Sequence, residues 1–213
     1  MRISLHPRRR SRRLLMMTLV VVATAVRGGG SACAQSRCVS AKFEAVGRSE
    51  AGLLSCLARV AARGRATNLG RCVSKVKGRL TRSFSTAGEC SGDDSICNCL
   101  AENCAVDVRL SLPDAGPSRC ESARLRAVAR KVTGTLRCNA QAVADGKAVD
   151  EGCIRKVQAR YQAAFAKTKG CTGDGAAVGT MVETACVTEV GANPTAGSMV
   201  GDPCTSHACD DDD

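Results

Sequence analysis

The sequence predicts an all-α protein made of two tandem helical hairpins that are stapled by disulfides, each hairpin followed by a third helix. Three observations predict it: a cysteine spacing that recurs four times, apolar residues at helical intervals, and a scarcity of aromatic residues. The 213 residues include 15 Cys but only three Phe, one Tyr and no Trp. Small apolar side chains bury less area than aromatic ones. Disulfides, worth about 2 to 4 kcal/mol each, compensate for that loss.

The cysteine spacing is the main architectural signal. Eighteen residues make about five whole turns, so cysteines at that spacing lie on one face of a helix, about 27 Å apart. The four segments form two copies of one unit, offset by 81 to 82 positions, with a linker near residues 112–118. Val76 then matches Val157, and Phe84 matches Phe165. The cysteines eighteen positions apart are Cys38 and Cys56, Cys72 and Cys90, Cys120 and Cys138, and Cys153 and Cys171.

The segments between these cysteines have helical patterns. In the last of them, Ile154, Val157, Tyr161 and Phe165 step by 3, 4 and 4, which is typical of an amphipathic helix. Turn and cap residues lie where the helices must end and begin. The predicted turn and cap residues are Gly64 and Asn68 in the first unit, Gly146 and Asp150 in the second, and Asp93 or Asp94 and Asp174 before the third helices.

Two antiparallel helices with two cysteines each on one face can be bonded at both ends. The spacing therefore predicts one disulfide beside each hairpin turn and one at each open end. The cysteines outside this frame differ between the halves, and the pairing of Cys97, Cys99, Cys104 and Cys186 stays open. For the tail, the simplest pairing is a short Cys204–Cys209 loop. The predicted hairpin disulfides are Cys56–Cys72, Cys138–Cys153, Cys38–Cys90 and Cys120–Cys171.

This arrangement resembles a loose group of uncharacterised secreted bacterial proteins with Cys-rich helical hairpin repeats. The resemblance covers most of residues 38–190. It rests on the four-cysteine frame, on the segment "RKVQARYQAAFAKTKGC", and on the Gly-Asp pair that follows the last cysteine of each hairpin. It implies a fold and an export route, and it implies no activity.

The N-terminus has the pattern of an export signal. A basic stretch at residues 8–13 precedes a largely apolar run of thirteen residues, 14–26, which is too short for a bilayer that needs about 20. We expect a signal peptide, 1–34, with cleavage after Ala34 and no transmembrane segment afterwards. Two other routes fit less well: a twin-arginine signal and a lipoprotein acylated at Cys33. All three predict a secreted, periplasmic or cell-surface protein.

Cleavage changes both the cysteine count and the charge. It leaves 14 cysteines, an even number, as expected for a disulfide framework in an oxidising compartment. The net charge falls from +11 to +4, with 24 basic and 20 acidic residues, so net charge does not predict nucleic-acid binding. The predicted organisation is a signal peptide (1–34), a first helical Cys repeat (35–111), a linker (112–119), a second helical Cys repeat (120–192) and a Pro/Gly-rich, Cys-containing acidic tail (193–213).

One basic face indicates a partner. Residues 51–88 contain eight basic residues and no acidic one. Arg71, Lys75, Arg79 and Arg82 step by 4, 4 and 3 along one helical face. Such a face attracts anionic lipid or acidic polysaccharide, although a merely solvated face is the alternative. Nucleic acid is not predicted, because aromatic side chains for base stacking are nearly missing.

The sequence shows no catalytic constellation. His6 leaves with the signal, so His207 is the one histidine left, which argues against Ser-His-Asp and Cys-His systems. We predict a non-enzymatic structural or binding module with no catalytic residue, metal or cofactor, which contacts anionic envelope surfaces. The alternative is a metal- or thiol-handling protein. That alternative would use Cys97, Cys99, Cys204, His207 and Cys209.

Overall fold

The structure, a computed structural model, is all-helical in the part of the chain that it describes. Contacts divide the chain into Met1–Gln35 and Ser36–Asp213. The signal peptide stays a prediction, and most of the predicted linker and tail lies outside the described residues. Among the described helices, none is both long enough and apolar enough for a membrane span. The described residues are 10–64, 66–112, 118–168, 171, 174–192 and 200–204, with side chains from residue 34 onward.

Six α-helices follow one another along the described chain, and the sixth continues into one π-helical turn. The predicted third helix of the second half is therefore short and changes its winding. In that turn the Thr188 hydroxyl donates to the carbonyl of Glu183, 2.9 Å away. The helices are α1 (Arg10–Arg63), α2 (Leu69–Ala87), α3 (Asp94–Ser111), α4 (Arg119–Asp145), α5 (Glu151–Ala166) and α6 (Gly175–Val182), followed by the π-helical turn Glu183–Thr188.

Short polar side chains begin most of these helices. Asp93 caps α3 by accepting from the amides of residues 95 and 96, and Asp150 caps α5 in the same way. Asp174 caps α6 by accepting from the amide of residue 176. Gly146 ends α4 in the left-handed region, at φ 61°, where glycine is favoured. Asn68 precedes α2 but makes no side-chain cap bond. Its backbone, at φ −113° and ψ 7°, is not in the extended conformation of a typical N-cap.

Disulfides close both helical hairpins at both ends, in the four pairs that the spacing predicts. The Cα atoms of these pairs are between 5.6 and 6.1 Å apart. The α1–α2 and α4–α5 hairpins are therefore each fixed in register by two covalent bonds. The bonds are Cys38–Cys90 and Cys56–Cys72 in the first hairpin, and Cys120–Cys171 and Cys138–Cys153 in the second.

The predicted tail disulfide Cys204–Cys209 is wrong, because Cys204 is bonded to Cys97 of α3. The chain after the π-helical turn returns to the core instead of ending in a local loop. The amide of Cys204 donates to the carbonyl of Val190 over 3.1 Å, and the residue is 1% exposed. Proximity in sequence was therefore a poor guide to this pairing. Cys209 lies outside the described residues.

Further bonds join the two halves. Cys104 of α3 pairs with Cys186 of the π-helical turn, and both side chains are fully buried. Cys99 is disulfide-bonded as well. Residues from both halves form one hydrophobic core. The hydroxyl of Thr133 in α4 donates to the carbonyl of Gly47 in α1 over 3.2 Å, so these two helices pack in direct contact.

Candidate anion-binding surface

The four predicted anion-binding residues are on the outer side of α2, and we call them the α2 basic face. Arg71, Lys75, Arg79 and Arg82 are all exposed. None of them is in an ion pair with another described residue. Lys77, which points elsewhere on the same helix, binds Glu102 of α3 at 3.0 Å. The α2 basic face therefore keeps its positive charge uncompensated within the described structure.

The apolar side of α2 determines which residues face outward. Val76, Leu80 and Phe84 are buried in the core at steps of four residues. The disulfides at Cys72 and Cys90 fix the start of the helix and the chain just beyond its end. Rotation of α2 about its axis would expose this apolar stripe, so the basic face is held toward solvent.

A buried lysine supports the end of α2. The Nζ of Lys42 donates to the carbonyls of Cys90 and Gly92 over 2.6 and 3.0 Å. It also lies 5.0 Å from the centroid of the Phe84 ring, a cation–π distance. These contacts hold the segment after α2 on α1, and they have a counterpart in the second half. There, the guanidinium of Arg124 lies 5.0 Å from the ring of Phe165.

Part of the α2 basic face borders a groove of about 550 Å³ between α1 and α2. Arg79 and Arg82 line one side, and Arg48 of α1 lies across from them. Arg48 is 3.3 Å from Glu44, so its charge is partly offset. Arg71 and Lys75 are not part of this lining. The face is thus a mainly open surface with one shallow groove beside it.

The residues proposed for metal or thiol chemistry do not form a site in the described part of the chain. Cys97 and Cys204 are bonded to each other, and Cys99 is also in a disulfide, so none of the three is a free thiol. No group of three or more His, Cys, Asp or Glu that could hold a metal occurs among the described residues. His207 and Cys209 lie outside them.

Sequence reasoning missed a second set of basic side chains, on the second hairpin. Their spacing, 7, 4 and 7 along α4 and 4 and 7 from α5 to the residue after it, could have revealed them. They do not form a stretch free of acidic residues, because Glu121, Asp150 and Glu151 lie at the starts of these helices. The structure shows these three carboxylates engaged in contacts of their own. The residues are Arg119, Arg126, Arg130, Arg137, Lys156, Arg160 and Lys167.

A buried carboxyl group was also missed. Glu50 of α1 is fully buried, and neither carboxyl oxygen has a hydrogen-bond partner among the described residues. Burial raises the pKa of this carboxyl well above the usual 4.5. The sequence does carry a signal for it, since Glu50 lies four residues from both Val46 and Leu54 on the apolar stripe of α1.

Comparison with known proteins does not assign this chain to a family. No protein family, curated protein or solved structure matches the chain. The structure itself establishes a disulfide-stabilised helical module with exposed basic residues along one clamped helix.

Proposed function

We propose that this protein is a non-catalytic, disulfide-clamped binding module that works outside the cytoplasm and contacts an anionic envelope surface through the α2 basic face. One observation carries the proposal: four exposed basic side chains, with no ion-pair partner among the described residues, lie along one face of a helix that is covalently fixed near both ends. We also propose kinship with secreted bacterial Cys-rich hairpin proteins, on the strength of the cysteine frame.

The shape of the face favours a lipid surface. Arg71 and Arg82 are eleven residues apart, which is roughly 16 Å along the helix axis. A convex helix face of this length meets a flat array of headgroups without rearrangement. Each Lys or Arg near an anionic bilayer contributes about 1 kcal/mol, and salt weakens this attraction. Four such residues on a rigid helix therefore support salt-sensitive binding, without any ordering of a flexible segment.

The disulfides support a location outside the cytoplasm. Bonded cysteines are rare in the reducing cytoplasm and common in exported proteins. Six disulfides join described cysteines, so a folded state of this kind depends on an oxidising environment. A secreted, periplasmic or surface location follows from this chemistry together with the predicted signal peptide.

Charge reversal on α2 tests the proposed function. We expect the triple variant Lys75→Glu, Arg79→Glu and Arg82→Glu to lose retention on phosphatidylglycerol vesicles at low salt. Each reversal replaces an attraction of about 1 kcal/mol by a repulsion, so binding should weaken by at least about a hundredfold. Co-sedimentation of the folded, oxidised protein with vesicles at several salt concentrations measures the effect.

A control variant makes the same change of net charge outside α2. Arg37, Lys147 and Arg155 are exposed and lie outside α2, and their reversal to Glu should leave retention nearly unchanged. Equal loss of vesicle retention in both variants would show that net charge, rather than the α2 basic face, determines binding. Undiminished binding by the α2 variant, or retention on phosphatidylcholine vesicles as strong as on anionic ones, would contradict the proposal.

A further inference from the structure

A long trough lies between α4 and α5, bordered in part by Ala51 and Ser55 of α1, and we call it the α4–α5 groove. It consists of a hollow of about 840 Å³ and a second hollow of about 720 Å³. Arg126, Arg130 and Arg160 line both hollows, so the two are continuous. The disulfides at Cys120–Cys171 and Cys138–Cys153 fix the two helices at both ends of the trough.

The groove is strongly basic. None of its exposed basic side chains is in an ion pair with another described residue. Lys131, which also lines it, is 2% exposed and is held 2.7 Å from Glu183. The exposed basic residues lining it are Arg119, Arg126, Arg130 and Arg137 from α4, Lys156 and Arg160 from α5, and Lys167 just after α5.

The acidic groups near the groove are occupied. Glu121 is buried 3.4 Å from Arg109, and Glu151 binds Arg155 at 2.7 Å. Asp150 is the one carboxylate that lines the groove in the described structure, and it accepts from the first amides of α5. The positive charge along the trough is therefore available to a ligand.

The lining also fits a chain-like ligand. Small side chains, those of Ala123, Ala163 and Ala164, line the groove beside the arginines and leave room for the ligand backbone. Arg119 and Arg137 are eighteen residues apart on α4, about 27 Å along its axis. A concave trough of that length accommodates an extended strand better than the flat surface of a bilayer.

The chemistry of the side chains narrows the ligand class. Five of the seven are arginines, whose planar guanidinium forms paired hydrogen bonds with carboxylate and phosphate groups. Tyr161, the aromatic residue of the lining, is 2% exposed and donates its hydroxyl to the carbonyl of Gly175. It is not placed for base stacking, which disfavours single-stranded nucleic acid. We propose that the α4–α5 groove is a separate binding site for a linear, carboxylate-bearing polysaccharide.

This site does not depend on the proposed function of α2, because it uses other residues on the other hairpin. The test uses the oxidised full-length protein and alginate, a linear polyuronate. We expect salt-sensitive binding, and we expect the triple variant Arg130→Glu, Arg137→Glu and Arg160→Glu to bind at least about tenfold more weakly. The Lys75, Arg79 and Arg82 reversal, with the same change of charge, should keep its affinity for alginate within about threefold.

A charge-conserving variant separates the guanidinium from simple attraction. Arg130→Lys, Arg137→Lys and Arg160→Lys keeps the charge but removes the paired hydrogen bonds, so we expect a loss of about threefold to tenfold. Circular dichroism and free-thiol titration show whether each variant is folded and oxidised. The melting curve of each variant shows whether a loss of alginate binding follows from unfolding.

Several outcomes would overturn the proposal. The first is failure of the wild-type protein to bind alginate. The second is an equal loss of alginate affinity in the groove and α2 variants, and the third is binding of neutral dextran as tight as that of alginate. Tighter groove-dependent binding of phosphatidylglycerol vesicles or of a single-stranded oligonucleotide would assign the groove to that partner instead. Groove-dependent binding of dextran sulfate in preference to alginate would assign it to sulfate rather than carboxylate. Loss of alginate binding by the groove variant with vesicle retention unchanged would leave the α2 proposal intact.

Discussion

At the scale of single residues, Glu50 is the least expected feature of the core. It lies on the apolar stripe of α1 between Val46 and Leu54, and the corresponding position of the second half is the buried Val132. A buried polar group without a hydrogen bond costs about 1 to 3 kcal/mol, and an ionised one costs more. The neutral acid is therefore the form that the folded protein tolerates, which is why its pKa is raised.

This raised pKa predicts how stability depends on pH. Glu50 binds its proton more tightly in the folded than in the unfolded chain, so its contribution is fully present below the usual pKa of 4.5 and is lost as pH rises through the raised pKa. Relative to Glu50→Gln, which cannot ionise, the wild type should lose up to about 1.4 kcal/mol per pH unit across that window. Urea unfolding of both proteins between about pH 4 and pH 8 measures the difference.

A second substitution at the same position serves as the control. Glu50→Leu also cannot ionise, so its curve should run parallel to that of the glutamine variant. At about pH 4, where Glu50 is neutral, it should exceed the wild type by about 1 to 3 kcal/mol because it removes the unsatisfied oxygens, and the difference should grow toward neutral pH as the wild type loses stability. A wild-type curve parallel to both variants at all pH values would contradict the buried, proton-binding carboxyl.

At the scale of the helices, the sequence predicts the hairpins and the starts of both third helices, but it predicts neither the π-helical turn nor the disulfide partners of the third helices. Whole-turn cysteine spacing fixes both the helices and their pairing, because two cysteines on one face can meet a partner only at the two ends. The partner of Cys97 depends instead on the path of the chain after Val190, which no local pattern encodes. The basic face of α2 was visible because no carboxylate interrupts it. The basic residues of the α4–α5 groove were missed because acidic residues lie near them in sequence, and the ion pair of Glu121 with Arg109 is a tertiary contact that the sequence does not show.

Glycines set the close approach within each hairpin. A Cβ added to Gly134 of α4 would lie 2.8 Å from a methyl carbon of Val157, and one added to Gly52 of α1 would lie 3.0 Å from Val76. These are matching positions in the two halves, with offsets of 82 and 81. Because valine is restricted in its χ1 rotamers, it cannot move aside freely. Each helix pair therefore packs through a glycine against a valine.

This contact predicts that Gly134→Ala destabilises the protein. Overpacking costs about 1 to 3 kcal/mol, which exceeds the gain of about 0.5 to 1 kcal/mol from replacing a helical glycine. We expect a net loss of about 1 kcal/mol in urea unfolding, and favourable coupling with Val157→Ala in a double-mutant cycle. Gly70→Ala in α2, where a Cβ meets nothing within 4 Å, should be neutral or stabilising. A stabilising Gly134→Ala would contradict the packing.

At the scale of the whole molecule, disulfides tie the two halves together across one shared core. Cys104–Cys186 joins α3 to the π-helical turn over 82 residues. Cys97–Cys204 adds a second connection over 107 residues. If every disulfide lay within one half, only the shared core and the connecting chain would hold the halves together. These two bonds add covalent cross-links between them.

Cleavage between the halves tests this arrangement. A protease site placed within residues 113–117 should, after cleavage, give one covalent species on a non-reducing denaturing gel and two fragments after reduction, because Cys97–Cys204 and Cys104–Cys186 span the cut. Removing an internal hairpin bond, with Cys56→Ala and Cys72→Ala, should leave that result unchanged while lowering stability by about 3 kcal/mol, as expected for its 16-residue separation. Fragments that separate without reductant would show that the bonds close within each half, as a Cys204–Cys209 loop would. Peptide mapping of the cleaved, unreduced protein should then recover residues 104 and 186 in a single cross-linked species if the covalent connection is the one seen here.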